Sequence, residues 1–256
     1  MNGLRAILVS VDFADLLAVT LPYNRHHFDE VLVVTCLRDE ATADVAKTHR
    51  AGLFFTESFY ADGAAFNKWR ALEEGLNAFG REGWIVLMDA DVLWPKFVPD
   101  YPREIGFLYG PVRRMYLQGT LPIPQEEDWA KLSLHRNLAE WAGYGQIFHA
   151  DDPHLPAPPW HAVDWEHAGG ADSFFQALWP PACKIRPPFE ALHIGAAGRN
   201  WYGRATPNIV DGSLPAEAAR RLNRVRRIWQ VRKARRRRGL DAFAEEKLSA
   251  PVPPIG

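Results

Sequence analysis

The stretch that decides the fold is Trp84-Ile85-Val86-Leu87-Met88-Asp89-Ala90-Asp91. Five consecutive apolar residues after Gly83 predict a strand buried on both faces, as in a parallel sheet. Two carboxylates follow where that strand ends, and open α/β sheets bind their ligands at this edge. Because carboxylates are costly to place there without a cation, Asp89 and Asp91 predict a divalent metal held together with phosphate groups. The alternative is a solvated turn with helix-capping aspartates.

Strand and helix patterns alternate through the first 88 residues. Strands are predicted at residues 4–11, 31–35, 53–56 and 84–88, and helices at 15–21, 39–50 and 66–79. Pro22 is expected to end the first helix. Further on, the pattern predicts short strands at 105–109, 113–117 and 146–149, and helices near 128–141 and 170–178. The alternation predicts an α/β fold with a mixed, mostly parallel sheet flanked by helices.

Composition places the chain among ordinary globular proteins. It has 256 residues, of which 47% are apolar and 24% are charged. The two cysteines, Cys36 and Cys183, indicate buried thiols in a reducing compartment. The sequence contains no run of about 20 apolar residues, and its first residues resemble the start of a strand rather than a signal peptide. We therefore expect a cytoplasmic protein.

Charge is divided unevenly along the chain. Residues 217–238 contain eleven Lys and Arg, with apolar residues at helical spacing, and this predicts a basic amphipathic helix. Such a helix could lie on an anionic membrane at the inner face, remain solvated or dock on the acidic body of the chain, or bind nucleic acid, which is the least favoured. We expect one domain over 1–212, with a nucleotide-binding half (1–91) and an acceptor half (92–212). Residues 213–256 are expected to form the basic helix and a flexible tail.

A second motif lies near the end of the expected domain. A short strand leads His193 into a segment rich in Gly, Asn, Trp and Arg that ends at Arg204. Imidazole is a good ligand for Mn²⁺, and glycines let a backbone approach a phosphate closely. Arg199 or Arg204 could pair with that phosphate. A lone His is more often a core residue, but the composition of this segment favours a ligand role.

Two further motifs carry weaker signals. Phe66-Asn67-Lys68 begins a predicted helix, where the dipole and Lys68 favour an anion, although an ordinary amphipathic helix fits equally well. Asp172 follows a Gly pair ahead of a short helix and could be a general base or a helix cap. Trp165 and Trp201 lie in predicted loops, where a ring can stack on a sugar, but core packing is favoured for any single Trp.

The order and spacing of these motifs resemble metal-dependent glycosyltransferases of the GT-A fold. They resemble in particular bacterial and phage family 2-like sequences that contain Phe-Asn-Lys, Asp-x-Asp and His-x-Gly…Asn-Trp-x-Gly-Arg elements. In this chain the elements are residues 66–68, 89–91 and 193–204. The resemblance covers about residues 4–205. It implies a GT-A fold and transfer of a sugar from a UDP- or GDP-sugar to a glycan, lipid-linked or protein acceptor.

The resemblance also implies roles for individual residues. The metal, Mn²⁺ or Mg²⁺, would be held by Asp89, Asp91 and His193. The donor would contact Thr35, Asp39, Asn67, Lys68, Asp89, Arg199 and Arg204. The acceptor would contact Trp165 and Trp201. Asp172 would take the acceptor proton, although many inverting members have Glu-Asp where this chain has Ala171-Asp172.

Other functions remain open from the residues alone. A haloacid-dehalogenase-type phosphatase also uses a strand followed by Asp-x-Asp, but that element normally opens its domain, whereas three strand–helix units come first here. A nucleotidyltransferase would usually have a Gly-rich loop with Arg and Lys after the first strand, and Ser10-Val11-Asp12 lacks it. A non-catalytic GT-A-like module with a membrane- or nucleic-acid-binding tail is the third alternative.

Overall fold

We describe the protein from a computed structural model, which covers residues 3–135, 144–165, 167–195 and 203. The strands within these residues are β1 (Leu4–Val9), β2 (Glu30–Thr35), β3 (Gly52–Phe55), β4 (Trp84–Asp89), β5 (Val92–Leu93), β6 (Leu108–Tyr109), β7 (Val112–Tyr116), β8 (Ser133–Leu134), β9 (Gln146–His149), β10 (Lys184–Ile185) and β11 (Glu190–Ile194). The α-helices are α1 (Ala14–Asn24), α2 (Glu40–Thr48), α3 (Lys68–Phe79) and α4 (Ala171–Gln176). Short 3₁₀ helices lie at Arg25–His27, Ser58–Gly63, Glu126–Lys131 and Pro181–Cys183.

Seven strands form the central sheet in the order β10-β6-β9-β4-β1-β2-β3. Neighbours are parallel except at β9, which runs antiparallel to both β4 and β6. This confirms the predicted mixed, mostly parallel sheet flanked by helices. The chain proceeds from β1 through β2 to β3 on one side and then returns to β4 on the other side of β1. The carboxyl ends of β1 and β4, where Val9 pairs with Asp89, therefore form the topological switch point of the sheet.

A second sheet of four strands has the order β5-β11-β7-β8 and was not predicted from the sequence. Strand β11 runs parallel to β7 and antiparallel to β5. In this register His193 lies opposite Val92, one residue after Asp91. The second sheet thus brings the late part of the chain to the end of β4.

The core lies between the central sheet and its helices. The four residues from Ile85 to Met88 are at most 2% exposed, as expected for a strand covered on both faces. Helix α3 packs tightly on the sheet at Gly75, where an added Cβ would stand 2.5 Å from Cγ2 of Val34. Because no side chain fits there, Gly75 allows the close approach that fixes the position of α3.

Two local predictions were wrong. Helix α1 continues through Pro22 to Asn24 rather than ending before the proline. A helix from residue 128 is also incorrect over the described residues, because the 3₁₀ turn ends at Lys131 and the following residues pair with β7. The backbone hydrogen bonds of residues 133 and 134 are therefore made across a sheet and not along a helix.

Within the part of the chain that the structure describes, no helix is long and apolar enough to cross a membrane. The predicted basic helix at 217–238 and the segment 213–256 lie outside the described residues. The domain boundary at residue 212 stays a prediction.

Candidate active site

Asp89 and Asp91 lie on either side of a turn at the carboxyl end of β4. Asp89 is the last residue of the strand, and the turn at Ala90 and Asp91 leads directly into β5. The backbone of the turn is tied to the second sheet, since the amide of Ile194 donates to the carbonyl of Asp91 over 2.8 Å. Both carboxylates therefore lie at the switch point of the central sheet.

Two buried polar residues of α1 hold the same turn. The hydroxyl of Thr20 donates to the carbonyl of Ala90 over 2.7 Å. The amide of Asn24 donates to the carbonyl of Val92 at 2.7 Å and accepts from the backbone N–H of Trp94 at 2.9 Å. Sequence reasoning missed both residues. The available signal was a pair of hydrogen-bonding side chains, one helical turn apart, in a mostly apolar helix.

Asp91 faces His193. Atom Oδ2 of Asp91 lies 3.9 Å from Nε2 of His193, and the two side chains are only 13% and 8% exposed. The other ring nitrogen, Nδ1, lies 3.1 Å from the carbonyl of Gly195 and must donate to it, because a carbonyl only accepts. This bond fixes the orientation of the ring and leaves Nε2 facing the carboxylate of Asp91. Metal-binding histidines are commonly oriented in this way, by a hydrogen bond from the ring nitrogen that does not bind the metal.

Asp89 has a different partner, because the ammonium of Lys68 forms an ion pair with its Oδ1. The Lys68 side chain is 12% exposed, and its ammonium lies 4.8 Å from the centre of the Trp69 ring. Burial raises the pKa of Asp89, and the charge of Asp91 adds to this effect, while Lys68 opposes it. The two acids of the motif thus differ in their surroundings.

Asn67 begins helix α3 and links it to a distant loop. Its Oδ1 accepts from the amide of Arg70 at 3.0 Å, as a helix N-cap does. Its Nδ2 donates to the carbonyl of Val163 over 2.8 Å. The ring N–H of Trp69 similarly donates to the carbonyl of Ala168 over 3.0 Å. The start of α3 is therefore fixed against Val163 and Ala168, and the donor role of Asn67 stays a prediction.

Phe66 packs against Gly203, which belongs to the late motif (residues 193–204). Gly203 is the one residue of this motif after Gly195 that the structure describes. A Cβ on Gly203 would lie 3.0 Å from Cδ2 of Phe66, and the φ angle of Gly203 is +67°. Both facts favour glycine at this position, since a side chain would strain the backbone and crowd the ring. The contact brings the late motif to the residue two positions before Lys68.

Asp39 caps helix α2 and supports the loop that follows β1. Its Oδ1 accepts from the amide of Thr42 at 3.1 Å, and its Oδ2 accepts from the amide of Asp12 at 2.6 Å. The hydroxyl of Thr35 lies 3.4 Å from the same Oδ2, and Thr35 and Asp39 are 0% and 5% exposed. Next to them, Arg38 pairs with the carboxylate of Asp12 through two bonds of 3.1 and 2.8 Å. The geometry gives Asp39 a supporting position, and its contact with a donor stays a prediction.

Asp172 lies in the first turn of α4, half-buried, with Oδ1 accepting from the amide of Ser173 at 2.9 Å. The cap of this helix is Gly170, not Asp172. Trp165 is only 3% exposed, and its ring N–H donates to the carbonyl of Gly169 over 2.7 Å. This burial favours packing for Trp165 over contact with an acceptor.

A buried histidine joins α4 to α3. The ring of His161 stacks between Trp69 and Phe175, with ring centres 5.2 and 4.2 Å away. Its Nδ1 and its backbone amide donate to Oε1 of Glu73 at 2.6 and 2.9 Å, and Arg81 binds Oε2 of Glu73 at 2.6 Å. Burial acts to raise the pKa of Glu73, but His161 and Arg81 outweigh it and hold that pKa below its usual value. Burial lowers the pKa of His161.

Arg199, Trp201 and Arg204 lie outside the described residues, so their predicted roles stay predictions. Among the described residues, no group of three or more His, Cys, Asp and Glu side chains is arranged to hold a metal ion. The donor set at Asp91 and His193 nevertheless suits a hard divalent ion. Two neighbouring ligands about 2.1 Å from one octahedral ion stand about 3 Å apart, so Oδ2 of Asp91 and Nε2 of His193, which are 3.9 Å apart, would move together by about 1 Å to share an ion. Such ions keep positions for phosphate oxygens, so two or three protein ligands are sufficient.

Comparison with known proteins finds similarity of structure only. No protein-family model matches the sequence, and no curated protein sequence matches it. Mannosyl-3-phosphoglycerate synthase from Rubrobacter xylanophilus is 20% identical, with a TM-score of 0.32, over 44% of this chain and 41% of that chain. Glucosyl-3-phosphoglycerate synthase from Mycobacterium tuberculosis, solved with Mn²⁺, UDP and glucosyl-3-phosphoglycerate, is 14% identical, with a TM-score of 0.42, over 76% of this chain and 70% of that chain. GalNAc-T7, solved with UDP, GalNAc and Mn²⁺, is 13% identical, with a TM-score of 0.49, over 83% of this chain and 46% of that chain.

Proposed function

We propose that the chain is a metal-dependent glycosyltransferase of the GT-A type, which transfers a sugar from a nucleotide-sugar donor to an acceptor hydroxyl. One observation carries the proposal: three motifs far apart in the sequence meet at the switch point of the sheet. Asp89 ends β4, Lys68 pairs with it from the start of α3, and His193 faces Asp91 from β11. A switch point is where open α/β sheets bind nucleotides.

Asp91 and His193 would hold the metal, Mn²⁺ or Mg²⁺, and Asp89 would join them or contact the donor ribose. The bond between His193 and the carbonyl of Gly195 supports this role because it turns Nε2 toward Asp91. The metal would neutralise the charge that develops on the leaving nucleoside diphosphate.

The chain's own residues would bind and orient the donor. Lys68 would contact the diphosphate, and Arg199 and Arg204 would add charge to the same group. We propose that Thr35 and Asp39 act mainly by fixing the loop after β1, in keeping with their burial and their bonds to one another. The donor nucleotide would be UDP or GDP.

Asp172 would act as the general base. Its carboxylate would accept the proton of the acceptor hydroxyl while the acceptor oxygen bonds to the anomeric carbon and the bond to the diphosphate breaks. A single displacement of this kind inverts the configuration of the sugar. Support comes from the packing that attaches α4 to α3 through His161, because this packing ties the helix that carries Asp172 to the one that carries Lys68. The acceptor would be a glycan, a lipid-linked sugar or a protein.

Calorimetry tests the proposal. UDP-, GDP-, CMP- and dTDP-sugars would be titrated with and without Mn²⁺ into the wild type, Asp91→Ala and His193→Ala. We expect one nucleotide class to bind only with Mn²⁺, and each variant to lose at least about tenfold in affinity. Asp44→Ala on α2, an exposed acid paired with Lys47 at 3.5 Å, is the matched control and should bind normally. Nucleotide-sugar binding that depends neither on Mn²⁺ nor on Asp91 would refute the metal site. No nucleotide-sugar binding at all would favour a phosphatase or a non-catalytic module.

A further inference from the structure

The two acids of the Asp-x-Asp turn have different partners. Asp89 is paired with the ammonium of Lys68, whereas Asp91 faces the imidazole of His193. Both Lys68 and Asp91 are close to nine-tenths buried, at 12% and 13% exposure. The ammonium of Lys68 is therefore already paired with one of the two carboxylates before any divalent ion arrives.

The backbone of Lys68 is fixed independently of the ion pair. It is the first residue of α3, directly after the capping residue Asn67, so its backbone is fixed. Its ammonium also lies over the ring of Trp69, which is itself bonded to the carbonyl of Ala168. Only the side chain beyond Cα is free to turn, and it can reach Asp89 or a group beside Asp89 without any movement of the helix.

We propose that Lys68 is an exchangeable counter-ion, which pairs with Asp89 when no donor is bound and moves to the diphosphate when the donor binds. This inference rests on the proposed function and adds a rule for its regulation, namely that metal and nucleotide bind cooperatively. A divalent ion alone must approach Asp89 against the charge of Lys68. A diphosphate gives Lys68 a second partner and releases Asp89, so each ligand favours the other.

The consequence is measurable without any catalytic assay. The wild type should bind Mn²⁺ weakly by itself and more tightly when UDP or GDP is present. Because linkage is reciprocal, the same factor should appear as tighter nucleotide binding in the presence of Mn²⁺. Lys68→Met removes the ammonium but keeps a side chain of similar length, so this variant should bind Mn²⁺ alone more tightly than the wild type, by about tenfold. The cooperativity between Mn²⁺ and nucleotide should fall by a similar factor.

The experiment measures free Mn²⁺ by electron paramagnetic resonance during titrations of the full chain, with and without UDP or GDP. Lys68→Arg keeps the charge and should keep weak binding of Mn²⁺ alone, which also provides a test if Lys68→Met does not fold. Lys47→Met, which changes an exposed lysine on α2, is the control and should match the wild type.

Equal or weaker binding of Mn²⁺ alone by Lys68→Met, with the cooperativity unchanged, would overturn the exchange while leaving the glycosyltransferase proposal intact. Tight binding of Mn²⁺ alone by Lys68→Arg would also overturn it. If neither the wild type nor any variant binds Mn²⁺ with any nucleotide, both the exchange and the proposed function fail.

Discussion

The side-chain amide of Asn24 donates to the carbonyl of Val92 over 2.7 Å, although the two residues are 68 positions apart. The same side chain accepts from the backbone amide of Trp94, so it binds the chain at both ends of strand β5. Helix α1 reaches this position only because it continues past Pro22. The conformation of the Asp-x-Asp turn is thus decided partly by a helix that carries none of its acids.

Replacing Asn24 with alanine is expected to destabilise the protein by about 2 to 4 kcal/mol, because two buried backbone groups lose their partner. Urea unfolding measures this loss. Asn77→Ala on the exposed face of α3 is the control and should cost well under half as much. A loss no larger than that of the control would mean that Asn24 does not hold the turn.

Replacing Gly203 with alanine should disturb the contact between the late motif and Phe66. The positive φ angle alone costs about 1 to 2 kcal/mol, and the new Cβ would crowd the ring at 3.0 Å. Gly83→Ala separates the two effects, since Gly83 has a φ of +64° and nothing within 4 Å of an added Cβ. We expect Gly203→Ala to weaken Mn²⁺-dependent nucleotide binding, while Gly83→Ala lowers stability only. Equal nucleotide affinity in the two variants would contradict the placement of this contact at the site.

His27 should make stability fall as the solution is acidified below neutral pH. Burial, followed by the nearby His26, lowers the pKa of His27 to about 4, and the carbonyl of Pro95 and the charge of Glu126 only partly oppose this. The unfolded chain, with a pKa of about 6.5, binds more protons between these values, so stability is complete above pH 6.5 and is lost as pH falls toward 4. The loss attributable to this group is up to about 3 kcal/mol.

Unfolding free energies of His27→Phe between pH 7 and pH 4 would check this expectation, since that variant should lack this part of the decline. Leu37→Ala, which changes a 68% exposed residue without a titratable group, should retain the wild-type profile. If the unfolding free energies of wild type and His27→Phe fall equally between pH 7 and pH 4, His27 is not the cause of the decline.

Asp172→Asn is expected to lower turnover by about 10² to 10⁴ while leaving Mn²⁺-dependent donor binding unchanged. An amide keeps the size of the side chain but cannot take the acceptor proton. Single-turnover kinetics and calorimetry on the same variant separate the two quantities. A comparable loss in both would assign Asp172 to binding or to structure and not to proton transfer.

The sequence by itself determined the elements whose signals are local. The apolar run before Asp89 predicted a fully buried strand, and the alternation of strands and helices predicted the parallel core, because both follow from the period of side chains along a few residues. The beginnings of α2 and α3 were also predictable to within two residues, since Asp39 and Asn67 are typical capping residues. The pairing of Asp-x-Asp with a later His as one site came from the resemblance and remains a prediction.

Only the tertiary structure decided which distant groups meet. The second sheet sets His193 opposite Val92 through backbone bonds between segments about a hundred residues apart, and no local period encodes that register. The same holds for the ion pair of Lys68 with Asp89. It also holds for Asn24, which α1 brings to the turn by continuing through Pro22. Burial favours packing for Trp165 and loop support for Asp39, since the exposure of a side chain depends on what the rest of the chain places over it, and their contacts with acceptor and donor stay predictions.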